Sequence, residues 1–195
     1  MLQSRSPAGA LPSAGSRHGA GGGGNFKKEV DMSKTEKNLK EAFAGESQAN
    51  RKYLAFAKKA EQEGFKQAAK LFRAAAEAET VHAHAHLREL KGIRSTKENL
   101  EEAVDGESYE FQKMYPGMID DARAEGAAGA LRSFEFANAV EKIHAALYRK
   151  MLENLGRTPE VDYWVCQVCG MTVEGEAPDE CPVCKAKKQM FKKVD

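Results

Sequence analysis

The chain has 195 residues, enough for one good-sized core and a small second module. Its 30 Lys and Arg against 29 Asp and Glu leave a net charge of +1, with no long basic run, which makes nucleic acid a poor partner. No apolar run reaches the ~20 residues of a bilayer span, and the N-terminus lacks the compact apolar segment of a secretory signal, so a cytoplasmic protein without membrane contact is expected.

Residues 1–31, rich in Gly, Ala and Ser, have almost nothing to bury and are expected to be a disordered leader or extension. The scarcity of acidic residues before Glu29 also fits a transit peptide. MSKTEKNL from Met32 reads as a natural start, with a helix beginning near Ser33 or Lys34. From about 34 to 156 apolar residues recur at helical spacing. Leu39, Phe43, Tyr53, Ala57 and Ala60 make one stripe. Ala68, Phe72 and Ala75 begin a second, and Ala130, Phe134, Ala137, Tyr148 and Met151 lie on another. Breaks near Glu63-Gly64, Lys91 to Ser95 and Glu125-Gly126 divide the segment into four helices. HAHAH at 82–86 is therefore helical despite its period of two. The two halves resemble each other: Gly45-Glu46-Ser47 recurs as Gly106-Glu107-Ser108. Glu63-Gly64, Phe72, Glu79 and His82 recur 62 positions on as Glu125-Gly126, Phe134, Glu141 and His144. A helix pair has been duplicated.

Charge sits on the core stripes. Glu46 follows Phe43, Glu79 and His82 continue Phe72 and Ala75, and Glu141 and His144 continue Phe134 and Ala137. An unpaired buried carboxylate costs several kcal/mol, more than a marginally stable domain tolerates repeatedly, so something cationic shares this core. Two E-x-x-H motifs plus one Glu from each remaining helix form the pattern of ferritin-like dinuclear carboxylate sites. Oxygen donors with one imidazole per metal suit iron or manganese. His84, about 200° round the helix from His82, faces away, and His86 lies one turn further on. Glu110, three residues after Glu107, is a fifth carboxylate. It balances the added charge of an oxidised pair, and the neutral imidazole of His82 takes that coordination position after reduction.

Cys166, Cys169, Cys181 and Cys184 form two C-x-x-C knuckles, a four-thiolate pattern for one tetrahedral metal. Spacing alone favours zinc, and iron gains a purpose as a one-electron carrier beside a dinuclear site. Tyr163, Trp164 and Phe191 are expected to build an aromatic core around this metal, with Pro182 stiffening the second knuckle.

AFAGESQANRKY, EAETVHA, DGESYEFQKMYP, VEKIHAALY, VCQVCG and CPVCK together resemble the rubrerythrin family, from Lys34 to about Val194. The resemblance implies a mainly α fold, with a ferritin-like four-helix bundle over 32–157 and a rubredoxin-like domain over 158–195. It implies that Glu46, Glu79, Glu107, Glu110, Glu141 and His144 hold a di-iron centre, with His82 replacing Glu110 on reduction. A single iron is implied at Cys166, Cys169, Cys181 and Cys184. Tyr53 and Tyr115 match tyrosines that hydrogen-bond the carboxylate ligands. Lys185 stands where rubredoxins commonly have Gly, and Met171 where an aromatic is usual; both bear on the potential of the iron.

The implied activity is a peroxidase that reduces hydrogen peroxide to water in oxidative-stress protection, with electrons passed through the four-cysteine iron to the di-iron pair. No G-x-G-x-x-G follows a strand, so electrons are expected from a reduced pyridine nucleotide through a separate reductase or a rubredoxin. A ferroxidase or iron-storage relative and a zinc-stapled interaction protein are the rival readings. The short link between helices two and three shapes assembly. In the family's topology it must climb roughly 33 Å to bring Glu79 and Glu107 level, while six residues reach ~20 Å. Either the bundle runs simply up and down, or two chains exchange helix pairs in a domain-swapped homodimer, the favoured alternative.

Overall fold

The computed structural model describes residues 33–194, so the expected leader over 1–31 lies outside the described residues. The helical part begins with α1 (Lys34–Gln62), which turns into α2 (Lys66–Glu89). After a short connector comes α3 (Thr96–Tyr109), which runs without a break through a π-helical turn (Glu110–Met114) into α4 (Tyr115–Ala124). α5 (Ala128–Glu153) completes the helices, and three short strands follow: β1 (Tyr163–Cys166), β2 (Thr172–Glu174) and β3 (Phe191–Val194). The strands form one antiparallel sheet in the order β2-β1-β3.

The helix ends follow from local chemistry. Ser33 caps α1 by accepting the Glu36 N–H at 3.1 Å. α1 ends at Gly64, whose φ of 84° is open to a residue without Cβ, with Phe65 N–H bonded to Ala60 O and Gly64 N–H to Glu61 O. The second hairpin repeats this turn at Gly126, with Ala127 N–H on Ala122 O and Gly126 N–H on Arg123 O.

The connector is as tightly built as the turns. Lys91 ends α2 in the left-handed region at φ 54°, and Gly92 packs so close to Leu87 that a Cβ would meet Leu87 Cδ1 at 2.4 Å. Ser95 and Glu98 form a reciprocal capping box on α3, while Asn99 exchanges two hydrogen bonds with the Arg94 backbone. This connector is fastened to α3.

α1 packs on α2, and α3, the π turn and α4 pack on α5; among the described residues, packing between the two hairpins is at most marginal. The α1–α2 seam is made of alanines: Ala57, Ala60, Ala69, Ala76 and Ala83 are buried. This differs from the stripe read from the sequence, where Ala68 was expected inside; Ala68 is exposed and Phe72 half-buried. The seam is displaced round α2 from the stripe that continues into Glu79 and His82, so that stripe stays partly open within one chain.

The principal buried apolar cluster lies at the C-terminal module. Val140 of α5 packs with Cys166, Met171, Ala177, Cys181 and Phe191, and Ile143 and Trp164 lie against them. Trp164 and Phe191 serve the core as expected, but Tyr163 does not: alternation along β1 puts it on the opposite side, where its hydroxyl bonds Glu174 at 3.2 Å.

Candidate metal centres

Among the described residues, three groups of side chains could hold metal ions, each with its ligand atoms mutually within 4.8 Å. Glu46, Glu79 and His82 form one group between α1 and α2; Glu107, Glu141 and His144 form another between α3 and α5. The four cysteines form the third. The duplicated halves therefore carry matching carboxylate-histidine triads on separate hairpins.

In the first triad, His82 Nδ1 lies 2.9 Å from Glu79 Oε2. Asn50 fixes the helix register nearby, donating from Nδ2 to Ala76 O at 2.7 Å and to Thr80 Oγ1 at 2.8 Å. Glu79 is largely covered, but 57% of the His82 side chain is exposed. His84 is exposed and lines a groove with Phe43, Asn50, Arg51 and Glu79, and among the described residues neither it nor His86 belongs to a metal-ligating group.

In the second triad, His144 Nδ1 lies 2.7 Å from Glu141 Oε2 and 3.9 Å from Glu107 Oε1. Here the histidine is only 25% exposed. Burial, a hydrogen bond to Glu141 and the charges of Glu141 and Glu110 push the Glu107 carboxyl up to about 7. Glu110 is raised by burial and by Glu141, against the opposing influence of His144. Tyr115 is raised by burial and then by Glu110, Glu141 and Glu107, which sets its phenol among these carboxylates. Glu107, Glu110 and Glu141 crowded beside the His144 imidazole form a donor set that a divalent cation fits.

Glu110 owes its place to the π turn. Glu46 and Glu107 are 61 positions apart, but Tyr53 and Tyr115 are 62 apart, so the second half has gained one residue between Ser108 and Tyr115. The helix absorbs it over Glu110–Met114, where the Tyr115 N–H reaches five residues back to Glu110 O. The signal was legible as a change of repeat offset. Tyr53 occupies the matching place in the first hairpin, its ring 6.2 Å from Phe72, as Tyr115 lies 6.2 Å from Phe134.

The cysteines are arranged for one tetrahedral ion. Cys166 Sγ lies 3.6 Å from Cys184 Sγ, and Cys169 Sγ 3.6 Å from Cys181 Sγ. A tetrahedron with bonds of about 2.3 Å has edges near these lengths. Burial pushes the Cys166 thiol up, but the N–H groups of Val168 and Cys169 together with the Cys184 and Cys169 thiols leave it lowered. Burial leaves Cys169 and Cys184 raised, although the N–H groups of Met171 and Ala186 respectively point at their sulfurs. Met171 Sδ sits 3.7 Å from Cys181 Sγ, a soft neighbour where rubredoxins commonly have a ring.

The sequence reading missed Thr172. Its hydroxyl lies 2.9 Å from His144 Nε2 and donates to Gly170 O at 3.2 Å. A threonine two residues beyond a knuckle glycine carries no signal of its own. The Lys150–Glu174 ion pair closes the same junction.

Known proteins resemble the chain over both its helical part and its cysteine module. Residues 37–152 match the family described as "Rubrerythrin", and residues 164–192 match "Rubrerythrin, rubredoxin-like domain". A rubrerythrin of Porphyromonas gingivalis is 35% identical over 85% of this chain and 92% of its own. Nigerythrin of Nitratidesulfovibrio vulgaris is 34% identical over 86% and 92%. Among solved structures, "Fully reduced state of nigerythrin (all ferrous)" superposes with a TM-score of 0.52 at 31% identity, covering 87% of this chain and 91% of that one.

Proposed function

Because the chain belongs to the rubrerythrin family, we propose that it is a cytoplasmic non-haem di-iron peroxidase that reduces hydrogen peroxide to water. The reading takes 32–157 as the di-iron bundle and 158–195 as the electron-delivering domain, fed by a separate reductase or a rubredoxin. What carries it is one helix: α5 bears the Glu141-x-x-His144 pair, and the four-cysteine module is docked on that same helix through Val140 and Ile143.

When bound, iron supplies the two electrons that peroxide reduction requires. Glu46, Glu79, Glu107, Glu141 and His144 would hold the pair, and the four cysteines the single iron. Glu110 would serve the oxidised site, where a further carboxylate offsets the added positive charge, and His82 would take its place in the reduced site. The phenols of Tyr53 and Tyr115 would orient carboxylate ligands by hydrogen bonding in the loaded site.

The two triads belong to hairpins that barely touch within one chain. We infer that they meet between chains, α1–α2 of one copy closing on α3–α5 of another to give a swapped dimer with two complete sites. The connector spans ~20 Å at full stretch, less than the roughly 30 Å climb needed to level Glu79 with Glu107 in parallel helices. Its fastening to α3 and the open stripe through Glu79 and His82 also favour this pairing.

The test is optical. The iron-loaded protein should be red from thiolate-to-iron absorption, bleach on chemical reduction and recover its colour on adding peroxide. In Cys181→Ser the colour and steady-state turnover should be lost, while the prereduced variant should still consume peroxide once. A colourless protein that retains zinc at the cysteines after iron loading, or unchanged turnover in Cys181→Ser, would overturn the reading.

A further inference from the structure

His82 and His144 are counterparts in the duplicated halves, 62 positions apart, and each presents Nδ1 to the glutamate three residues before it. Their other ring nitrogens differ. His144 Nε2 meets Thr172 Oγ1 at 2.9 Å, whereas His82 Nε2 has no hydrogen-bond partner among the described residues. The exposures follow, 25% for His144 against 57% for His82.

The Thr172 hydroxyl meets His144 Nε2 at 2.9 Å and Gly170 O at 3.2 Å. A metal held at Nδ1 leaves the ring proton on Nε2, and the Thr172 oxygen can accept it while donating its own proton to Gly170 O. A neutral imidazole protonated at Nε2 has its lone pair on Nδ1, the nitrogen facing Glu141 and Glu107. A hydrogen bond to the outer nitrogen of a ligating histidine fixes both its tautomer and its ring orientation. Gly170 adjoins Cys169 in the chain, and β2, which carries Thr172, is tied to α5 again by Lys150–Glu174. The acceptor is thus mounted on the four-cysteine module itself.

We propose that Thr172 is a positioning residue by which the C-terminal module of a chain locks His144 as a permanent ligand through Nδ1, while His82, with no such lock, remains able to leave and return. This rests on the proposed di-iron site and deepens it. The difference between a fixed and a mobile histidine then lies outside the helical repeat, in the module docked on α5 of the second hairpin.

The experiment uses the full chain loaded with zinc(II), a diamagnetic divalent ion, and compares it with Thr172→Val and Thr172→Ser. Valine keeps the β-branched shape without the hydroxyl, and serine keeps the hydroxyl. In the parent, the imidazole nitrogen spectrum should show His144 as the Nε2–H tautomer with a slowly exchanging proton. Thr172→Val should speed that exchange at least ~10-fold and weaken zinc binding at the bundle, read by chelator competition, by about 10- to 100-fold. Thr172→Ser should keep the parent's tautomer and stay within about threefold of its affinity, and the His82 signal should be unmoved in both. A valine variant with parental exchange and affinity would refute the lock. So would a serine variant as impaired as valine, because packing rather than the hydroxyl would then be responsible. Neither measurement involves peroxide, so a protein without peroxidase activity would sink the functional reading and leave this result to stand or fall by itself.

Discussion

Glu107 on α3 and Glu141 on α5 face each other across the second hairpin, with a carboxylate oxygen of each within 4.8 Å of the other. Burial, then a proton shared with Glu141 and the neighbouring charges, carry Glu107 up to about 7, and Glu110 is raised in the same sense. A carboxyl raised on folding adds stability that is complete below its ordinary value of 4.5 and disappears as pH climbs through about 7. The metal-free protein should therefore lose thermal stability between about pH 5 and pH 8. Glu98 and Glu180, lowered by Ser95 and Lys187 respectively, titrate below that window and do not mask it. Loading with a divalent metal should remove the slope, since the ion replaces the proton, and Glu107→Gln should flatten it without metal. Calorimetry across the range decides; a midpoint that rises with pH in the metal-free protein contradicts the shared proton.

Replacing His82 with Ala should impair the reduced site preferentially, while Glu110→Ala should impair the oxidised one. The measurement is ferrous and ferric iron retained per chain after gel filtration in each variant. Equal losses in both oxidation states for both variants would show that the two residues do not trade places.

Mixing separates the two assemblies. Glu79→Ala and Glu141→Ala chains refolded together should regain about a quarter of parental activity if hairpins are exchanged, because half the dimers are mixed and each mixed dimer has one intact site of two. Unswapped bundles give no recovery at all. A monomer that holds both irons and full activity would also exclude the exchange.

Ser95→Ala removes the hydroxyl half of the capping box that begins α3, and should cost about 1 kcal/mol in denaturant unfolding. Because Ser95 also stiffens the connector, the variant should release some protein as species of a different size on gel filtration, whereas Ser33→Ala, which caps α1 away from the connector, should destabilise without redistributing species.

Much of this was legible in the sequence because the repeat is strict. Helix breaks at Gly64 and Gly126 are marked by residues that only the left-handed region explains, and the E-x-x-H pairs announce themselves by placing charge on an apolar stripe. The α1–α2 seam differs by one position, at Ala69 instead of Ala68, because the two are adjacent alanines and periodicity cannot choose between equal side chains. Tyr163 was grouped with Trp164 on aromatic character, although neighbours on a strand point to opposite faces. Thr172 was invisible for a different reason: its partner His144 is 28 residues away and belongs to another module, so no local pattern connects them.

The single residue gained between Ser108 and Tyr115 has a wider consequence. An ordinary insertion would turn every later side chain by about 100° and scramble the helix face. Confined to one wide turn, it leaves Tyr115 and Phe134 in step with Tyr53 and Phe72, so the fold registers almost nothing. The chemistry registers a great deal, since twin halves inherited from one ancestral hairpin no longer offer twin environments. One codon suffices to break a molecular symmetry, and the helix acts as its shock absorber.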